Sequence, residues 1–318
     1  MEKSYCFLAQ SIVAIQIRGQ LLIAEDTMSR RHPIVAITGS SGAGTTTVKD
    51  ALSSIFDRVG ANAAFVEGDS FHRYDRKEMK QEMAQAKEEG RNLSHFGPEG
   101  NLFDKQYELF SSYGETGSGF IRHYIHNEEE AVRFKQKPGT FTEWESLSSD
   151  SDLLFYEGLH GGVVTDTFNI AEQVDLLIGV APTINLEWIQ KISRDTKERG
   201  YESEDVIDII NRRMYDYMKY ILPQFDSTHI NFQRIPILDT SNPLGARSIP
   251  TLDQSLVLIH FLKPKPSVEY KLNLRGLIEG SFITGFNTLL IPGGKMGYAM
   301  ELILTKRVMD LMKKRGHL

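Results

Sequence analysis

The chain has 318 residues, 41% of them hydrophobic and 25% charged, and its 36 Lys and Arg against 42 Asp and Glu leave a net charge of −6. This is ordinary globular composition, long enough to bury a core without disulfide or metal staples, and its mild acidity argues against a dedicated nucleic-acid binder, which carries a basic excess. The single cysteine, Cys6, excludes an intrachain disulfide, a cysteine zinc cluster and a two-thiol redox switch, and points to a reducing compartment.

Residues 1–27 differ in character from the rest of the chain. Gln16, Arg18 and Gln20 interrupt the apolar stretch 11–24, which falls short of the roughly 18 apolar residues of a membrane span. It also lacks a small-residue cleavage site, so no membrane association and a cytoplasmic location are expected. We expect 1–27 to be a poorly ordered N-terminal extension with Met28 the physiological start, and 28–318 to form a single domain.

From Pro33 onward apolar strand candidates at 34–38, 63–67, 153–156, 175–180, 235–238, 256–262 and 282–291 alternate with helical periodicity. A first helix should start near Gly44, because Val48, Leu52, Ile55 and Val59 recur at three- and four-residue steps. A charged helix over 77–89 and Gly-punctuated loops around 113–119 read as an insertion at about 77–149, lying near a site. Helices over 184–199 and 203–221 are joined at Gly200, a left-handed stop, and a last helix covers 298–314. The pattern predicts an α/β fold with a mostly parallel mixed β-sheet flanked by helices and carrying a helical and looped insertion.

The sharpest signal is Gly39-Ser40-Ser41-Gly42-Ala43-Gly44-Thr45-Thr46-Thr47, directly after an apolar strand and directly before an amphipathic helix. This is the setting of a phosphate-binding P-loop: glycines let backbone N–H groups approach an anion, and the helix N-terminus adds unpaired donors. These nine residues are the candidate ATP-binding segment, with Thr46 where the motif's hydroxyl reaches Mg²⁺. Thr45, however, occupies the place of the lysine that grips the β- and γ-phosphates, so another cation must serve.

The strand 63–67 runs into Gly68-Asp69-Ser70-Phe71-His72-Arg73-Tyr74-Asp75-Arg76. Ligands bind beyond the carboxyl ends of strands in such sheets, which makes Asp69 a candidate general base for an alcohol and His72 and Arg76 candidate holders of a substrate phosphate. The plainer alternative is a helix cap followed by a solvated turn. Glu157, at the end of the apolar strand 153–156, takes the position of the acid that holds Mg²⁺ or its water in P-loop enzymes. Lys191 and Arg194, one or both, are candidates for the missing cation, unless they line a solvated basic face together with Lys197 and Arg199. Asp195 would then orient one of them or sit near the metal. Arg212 and Arg213 are adjacent on one helix and read as surface arginines, with the binding of an effector phosphate as the alternative.

Taken with Glu67-Gly68-Asp69-Ser70-Phe71-His72-Arg73, Tyr113-Gly114-Glu115-Thr116-Gly117, Leu154-Phe155-Tyr156-Glu157-Gly158-Leu159-His160-Gly161, Asn185-Leu186-Glu187-Trp188-Ile189-Gln190-Lys191-Ile192 and Asn231-Phe232-Gln233-Arg234, the P-loop segment closely resembles the bacterial branch of phosphoribulokinase. The resemblance runs from about Met28 onward and makes 28–318 a P-loop kinase domain. It implies transfer of the γ-phosphoryl of ATP to the 1-hydroxyl of D-ribulose 5-phosphate, a step of the Calvin cycle, with Mg²⁺ as cofactor. By position it implies that Asp69 is the base and that His72, Arg76 and Arg199 bind the sugar phosphate. Lys191 and Arg194 would be the cations, and Glu157 and Asp195 the acids near Mg²⁺ and the reaction centre. Thr45 belongs to the bacterial pattern, and Ala43 stands where the plant branch has a redox cysteine. The resemblance also implies a homo-oligomer activated by NADH and inhibited by AMP. A uridine kinase and a catalytically silent nucleotide-binding regulator are the alternatives weighed against it.

Overall fold

A computed structural model describes residues 32–39, 45–147, 150–197, 200–246 and 248–316. The expected extension 1–27, the loop residues Ser40, Ser41, Gly42, Ala43 and Gly44, the side chains of Thr45 and Thr46, and Arg199 lie outside the described residues.

Ten strands and nine α-helices are formed among the described residues. In chain order they are β1 (Ile34–Thr38), α1 (Thr45–Val59), β2 (Ala63–Glu67), α2 (Arg76–Glu88), α3 (Phe103–Thr116), β3 (Phe120–Ile121), α4 (Glu128–Phe134), β4 (Glu145–Ser146), β5 (Leu153–Gly158) and β6 (Leu176–Pro182). Next come α5 (Ile184–Lys197), α6 (Ser203–Asp216) with a π-helical continuation Tyr217–Ile221, α7 (Gln224–Ser227), β7 (Ile230–Pro236), β8 (Ser255–Phe261), α8 (Val268–Leu277), β9 (Phe282–Gly285), β10 (Thr288–Pro292) and α9 (Met296–Arg315). Eight strands make one sheet in the order β2-β5-β1-β6-β7-β8-β10-β9, and β3 pairs with β4 apart from it. The first five strands of that order run parallel and the last three alternate antiparallel, as the α/β expectation required.

The period of two along each strand divides the core between the two faces of the sheet. Val35, Ile37, Leu153, Phe155, Leu176 and Ile178 face one cluster with α1 and α9, while Ile34, Ala36, Leu154, Tyr156 and Leu177 face a second with α3. β1 is buried at all five residues because β5 and β6 flank it and helices cover both faces. That explains its unbroken apolar run, Ile-Val-Ala-Ile-Thr.

Several boundaries differ from expectation. The strand expected at 235–238 is β7, Ile230–Pro236, where polar residues alternate with Ile230 and Phe232 because one face is only half covered. The run 282–291 breaks at residues 286–287 into the hairpin β9–β10. The stretch 113–119 is loop only from Gly117: residues 113–116 close α3, which ends at a left-handed Gly117. The helix expected over 203–221 changes to a π-helical turn after Asp216. Gly200 has the expected positive φ of 70°. No helix among the described residues is long and apolar enough to cross a membrane.

Candidate active site

The carboxyl ends of β1, β2, β5 and β6 open on the same edge of the sheet, beside the point where the connection from β1 runs to one side, to β2, and that from β5 crosses β1 to the other, to β6. Glu67 at the end of β2 pairs in register with Glu157 of β5, and Glu157 also pairs with Ile37 of β1. Gly68 and Gly158 meet backbone to backbone: a Cβ on Gly68 would lie 2.9 Å from the Cα of Gly158, and one on Gly158 would lie 2.8 Å from the Cα of Gly68. No side chain fits between them, and the chain leaves both strands at one level. The N–H of Gly39 donates to the Gly158 carbonyl at 3.3 Å, which ties the start of the phosphate-loop segment to the strand bearing Glu157.

Asp69 lies in the short 3₁₀ turn Gly68–Phe71 that follows β2. Its carboxylate is 3.6 Å from His72 Nε2 and 3.9 Å from His126 Nε2. His126 Nε2 is also 3.4 Å from Glu67, and Lys49 Nζ of α1 is 3.8 Å from the other Glu67 oxygen. The contact with His126 holds Glu67 below the usual carboxylate range, and Glu67 in turn raises the His126 imidazole. His72 is buried, and burial pushes its imidazole down although Asp69 pulls the other way. It sits inside the turn rather than on its surface.

Two devices fix this turn. Arg122 donates from Nε to the Ser70 carbonyl at 2.8 Å and from Nη2 to the His72 carbonyl at 2.5 Å, its guanidinium lying 3.7 Å from the Phe141 ring centroid. Asp75 caps α2 by accepting from the N–H groups of Lys77 and Glu78, both at 2.8 Å, while Glu78 accepts from the N–H of Asp75 at 3.0 Å. This capping box starts the helix at Arg76, one residue before the expected 77. Arg76 donates to the His126 carbonyl at 3.3 Å, so Asp69, His72, Arg76 and His126 form one group.

On α5, which begins two residues after β6, Lys191, Arg194 and Asp195 share one turn. Lys191 Nζ bonds one Asp195 oxygen, and Arg194 donates from Nε and Nη2 to the other at 3.1 and 3.0 Å. Asp195 is 3% exposed, so two cations converge on a buried carboxylate. Burial alone would raise its pKa, and Lys191 and Arg194 hold it below the usual range. Burial and the neighbouring Arg213 push the Lys191 ammonium down to about 8 in spite of Asp195. Arg213 is not a plain surface arginine: it faces the Phe96 ring at 5.5 Å and lines a small cavity with Lys191 and Trp188. Arg212 pairs with Asp208 on the outer face.

Sequence reasoning missed Lys49, His95, Arg122, His126 and Arg213 as members of the site. His95 stacks on His72 at 4.3 Å between ring centroids, and His160 Nε2 lies 3.0 Å from the Phe96 carbonyl. His95, Arg122 and His126 come from segments without a motif of their own, with only the His and Arg residues between 91 and 126 as a signal, while Lys49 follows the phosphate loop on α1 and Arg213 lies on α6. The described residues hold no group of three His, Cys, Asp or Glu spaced for a metal ion. A divalent ion here would be held by a carboxylate or two together with ligand phosphates, as Mg²⁺ commonly is.

The arrangement, a phosphate loop followed by acids at strand ends and cations on a helix, can neutralise and align a phosphoryl group against an alcohol. Comparison with known proteins agrees. The family model described as Phosphoribulokinase / Uridine kinase family matches residues 34–241. The chromosomal phosphoribulokinase of Cupriavidus necator is 57% identical over 289 residues, covering 91% of this chain and 98% of the relative. The phosphoribulokinase of Sinorhizobium medicae is 51% identical over 288 residues, with 91% and 99% covered. Among solved structures, the phosphoribulokinase from Rhodobacter spheroides superposes with a TM-score of 0.83 at 46% identity, covering 91% of this chain and 100% of that one.

Proposed function

The chain belongs to the Phosphoribulokinase / Uridine kinase family, and from that premise we propose how the strand-end acids and the paired cations divide its reaction between them. It is an ATP-dependent phosphotransferase with an alcohol acceptor: the γ-phosphoryl of ATP passes to the 1-hydroxyl of D-ribulose 5-phosphate, giving ribulose 1,5-bisphosphate and ADP in the Calvin cycle. Such a transfer asks for in-line positioning and charge neutralisation more than for covalent chemistry.

In this reading Asp69 takes the proton of the 1-hydroxyl, with His72 and His126 oriented on its two oxygens. His72 and Arg76, joined by Arg199, hold the sugar phosphate. Residues 39–47 receive the nucleotide phosphates. Lys191 and Arg194 supply the positive charge that Thr45 does not, and Asp195 holds both in one orientation while lying near the reaction centre. Mg²⁺, when bound with ATP, would be met by Glu157 and Thr46 and would neutralise charge on the phosphates. A homo-oligomer in the cytoplasm, activated by NADH and inhibited by AMP, belongs to the same proposal.

The observation that carries this division is the register of Glu67 against Glu157, with Asp69 two residues beyond: three carboxylates stand at one sheet edge, at the ends of β2 and β5, and β5 lies beside β1, the strand that precedes the phosphate loop. The test is ADP release from MgATP with ribulose 5-phosphate, uridine or no acceptor. Turnover on ribulose 5-phosphate alone is expected. Turnover on uridine, or none above background, would overturn the reading.

A further inference from the structure

We propose that Asp216 is a positioning residue for the acceptor side of the site, acting through residues 92–101; the proposal rests on the reading that Asp69 and His72 meet the acceptor. Apart from a 3₁₀ turn at Pro98–Gly100 this segment has no regular structure, yet it is pinned from two sides.

On one side is the last residue of α6. The buried carboxylate of Asp216 accepts through one oxygen from the Ser94 hydroxyl at 2.6 Å and from Asn92 Nδ2 at 3.0 Å. Gly97 passes so close that a Cβ there would lie 3.1 Å from the same oxygen. Burying a carboxylate against two neutral donors is costly unless both bonds are well formed, and bonds to a charged acceptor are strong and directional. Ser94 Oγ also accepts from the N–H of Phe96 at 3.1 Å, so the grip is passed to the backbone on either side of His95.

On the other side is the turn that carries Asp69 and His72. Arg73 N–H donates to the Gly100 carbonyl at 2.9 Å, Leu102 N–H to the Phe71 carbonyl at 2.8 Å, and Asn101 Nδ2 to the His95 and Gly97 carbonyls at 2.9 and 2.7 Å. Between the two attachments the His95 ring lies against the His72 ring at 4.3 Å. His95 Nδ1 is buried without a partner, so that edge does nothing to fix its tilt, and the ring sits where its backbone places it. A continuous line of contact thus runs from Asp216 through Ser94 and His95 to His72 and on to Asp69. It joins α6, whose Arg213 lies beside Lys191, to the acceptor turn.

The experiment is steady-state kinetics on Asp216→Ala, Asp216→Asn and Ser94→Ala, each with both substrates varied. Asp216→Ala should raise KM for ribulose 5-phosphate about tenfold, the scale of the lost buried bond to Ser94 that bears on His95, and leave KM for ATP within about twofold. Asp216→Asn, whose amide oxygen still accepts from Ser94 and Asn92, should stay within about threefold of wild type. Ser94→Ala should follow Asp216→Ala, and the double variant should lose little more. Because Ser94→Ala deletes a single hydroxyl, it supplies folded enzyme even where Asp216→Ala does not accumulate. An unchanged acceptor KM in Ser94→Ala, or a KM for ATP that rises in step, overturns the proposal. Wild-type enzyme that turns over no ribulose 5-phosphate overturns instead the reading beneath it.

Discussion

At the scale of single residues, Asp195 shows how one buried carboxylate gives two cations a common geometry. Lys191 and Arg194 lie four residues and one residue before it on α5, and each takes a different oxygen. With the Lys191 ammonium brought down to about 8, its charge is lost as pH rises through that value. We expect kcat/KM to fall with pH above about 8, and Lys191→Arg to sustain activity further into the alkaline range because a guanidinium keeps its proton; a wild-type profile flat to about pH 10 would contradict this. Asp69 sets a second test. Replacing it with Ala removes the proton acceptor and should lower kcat by about 10²- to 10⁴-fold while leaving ATP affinity, measured by nucleotide titration, nearly unchanged. These residues were legible because an acid closing an apolar strand, or a cation one helical turn from an acid, is a local pattern. His126 and Arg122 were not, since their partners lie 59 and 52 residues away in sequence and only the fold brings them together.

At the scale of elements, α3 is the instructive case. Gly114 and Gly117 made its end read as loop, yet Phe103, Gln106, Leu109, Phe110 and Tyr113 recur at three- and four-residue steps and are all buried. Burial against Leu154, Tyr156 and Leu177 outweighs the low helix propensity of Gly114. Phe110 has no exposed surface and meets Tyr156 edge to face at 5.4 Å. Phe110→Ala should therefore cost about 3–5 kcal/mol, read as a lower midpoint in urea with an unchanged slope. β7 was placed five residues late for the opposite reason: a half-covered strand alternates polar with apolar residues, and the more continuous run beginning at Ile235 drew attention away from Ile230 and Phe232. β1 and α1 were found within a residue because both faces of a central strand, or the whole inner face of a helix, are written in apolar residues, and the edge strand β2 was found because its short apolar run is bounded by polar and glycine residues.

At the scale of the whole molecule, neutral imidazoles are built into the layers between sheet and helices. Burial holds His160 down to about 3 and His229 to about 4, and His95 well below its ordinary value. His229 Nδ1 accepts from the N–H of Leu177 at 2.9 Å, which requires that nitrogen to be unprotonated. Unfolded imidazoles take up protons near pH 6.5. Between the folded values and pH 6.5 the unfolded chain therefore binds more protons, and stability rises with pH through that window. His126, raised by Glu67, works in the opposite sense but is a single, partly exposed group. The net expectation is a melting temperature that drops as pH is lowered from 7 to 5. An equal or higher melting temperature at pH 5 would contradict it.

The placement of α9 carries a consequence for how the molecule is made. This helix of 20 residues packs beside α1 over the same face of the sheet, with Arg58 of α1 paired to Glu301 at 3.1 Å and Arg315 of α9 bonded to Asp152 beside β5. β1 likewise acquires its two neighbours from β5 and β6, which are synthesised more than a hundred residues after it. The strand and helix that flank the phosphate loop thus emerge early from the ribosome and are clad late. Leu52, Ile55 and Phe56 share one core cluster with strands β5 and β6 and with α9, so that cluster is complete only once all of these segments are made. The strand and helix beside the nucleotide site thus complete their packing only after segments far along the chain have been made, an order that leaves apolar surface open for longer than a chain of local contacts would.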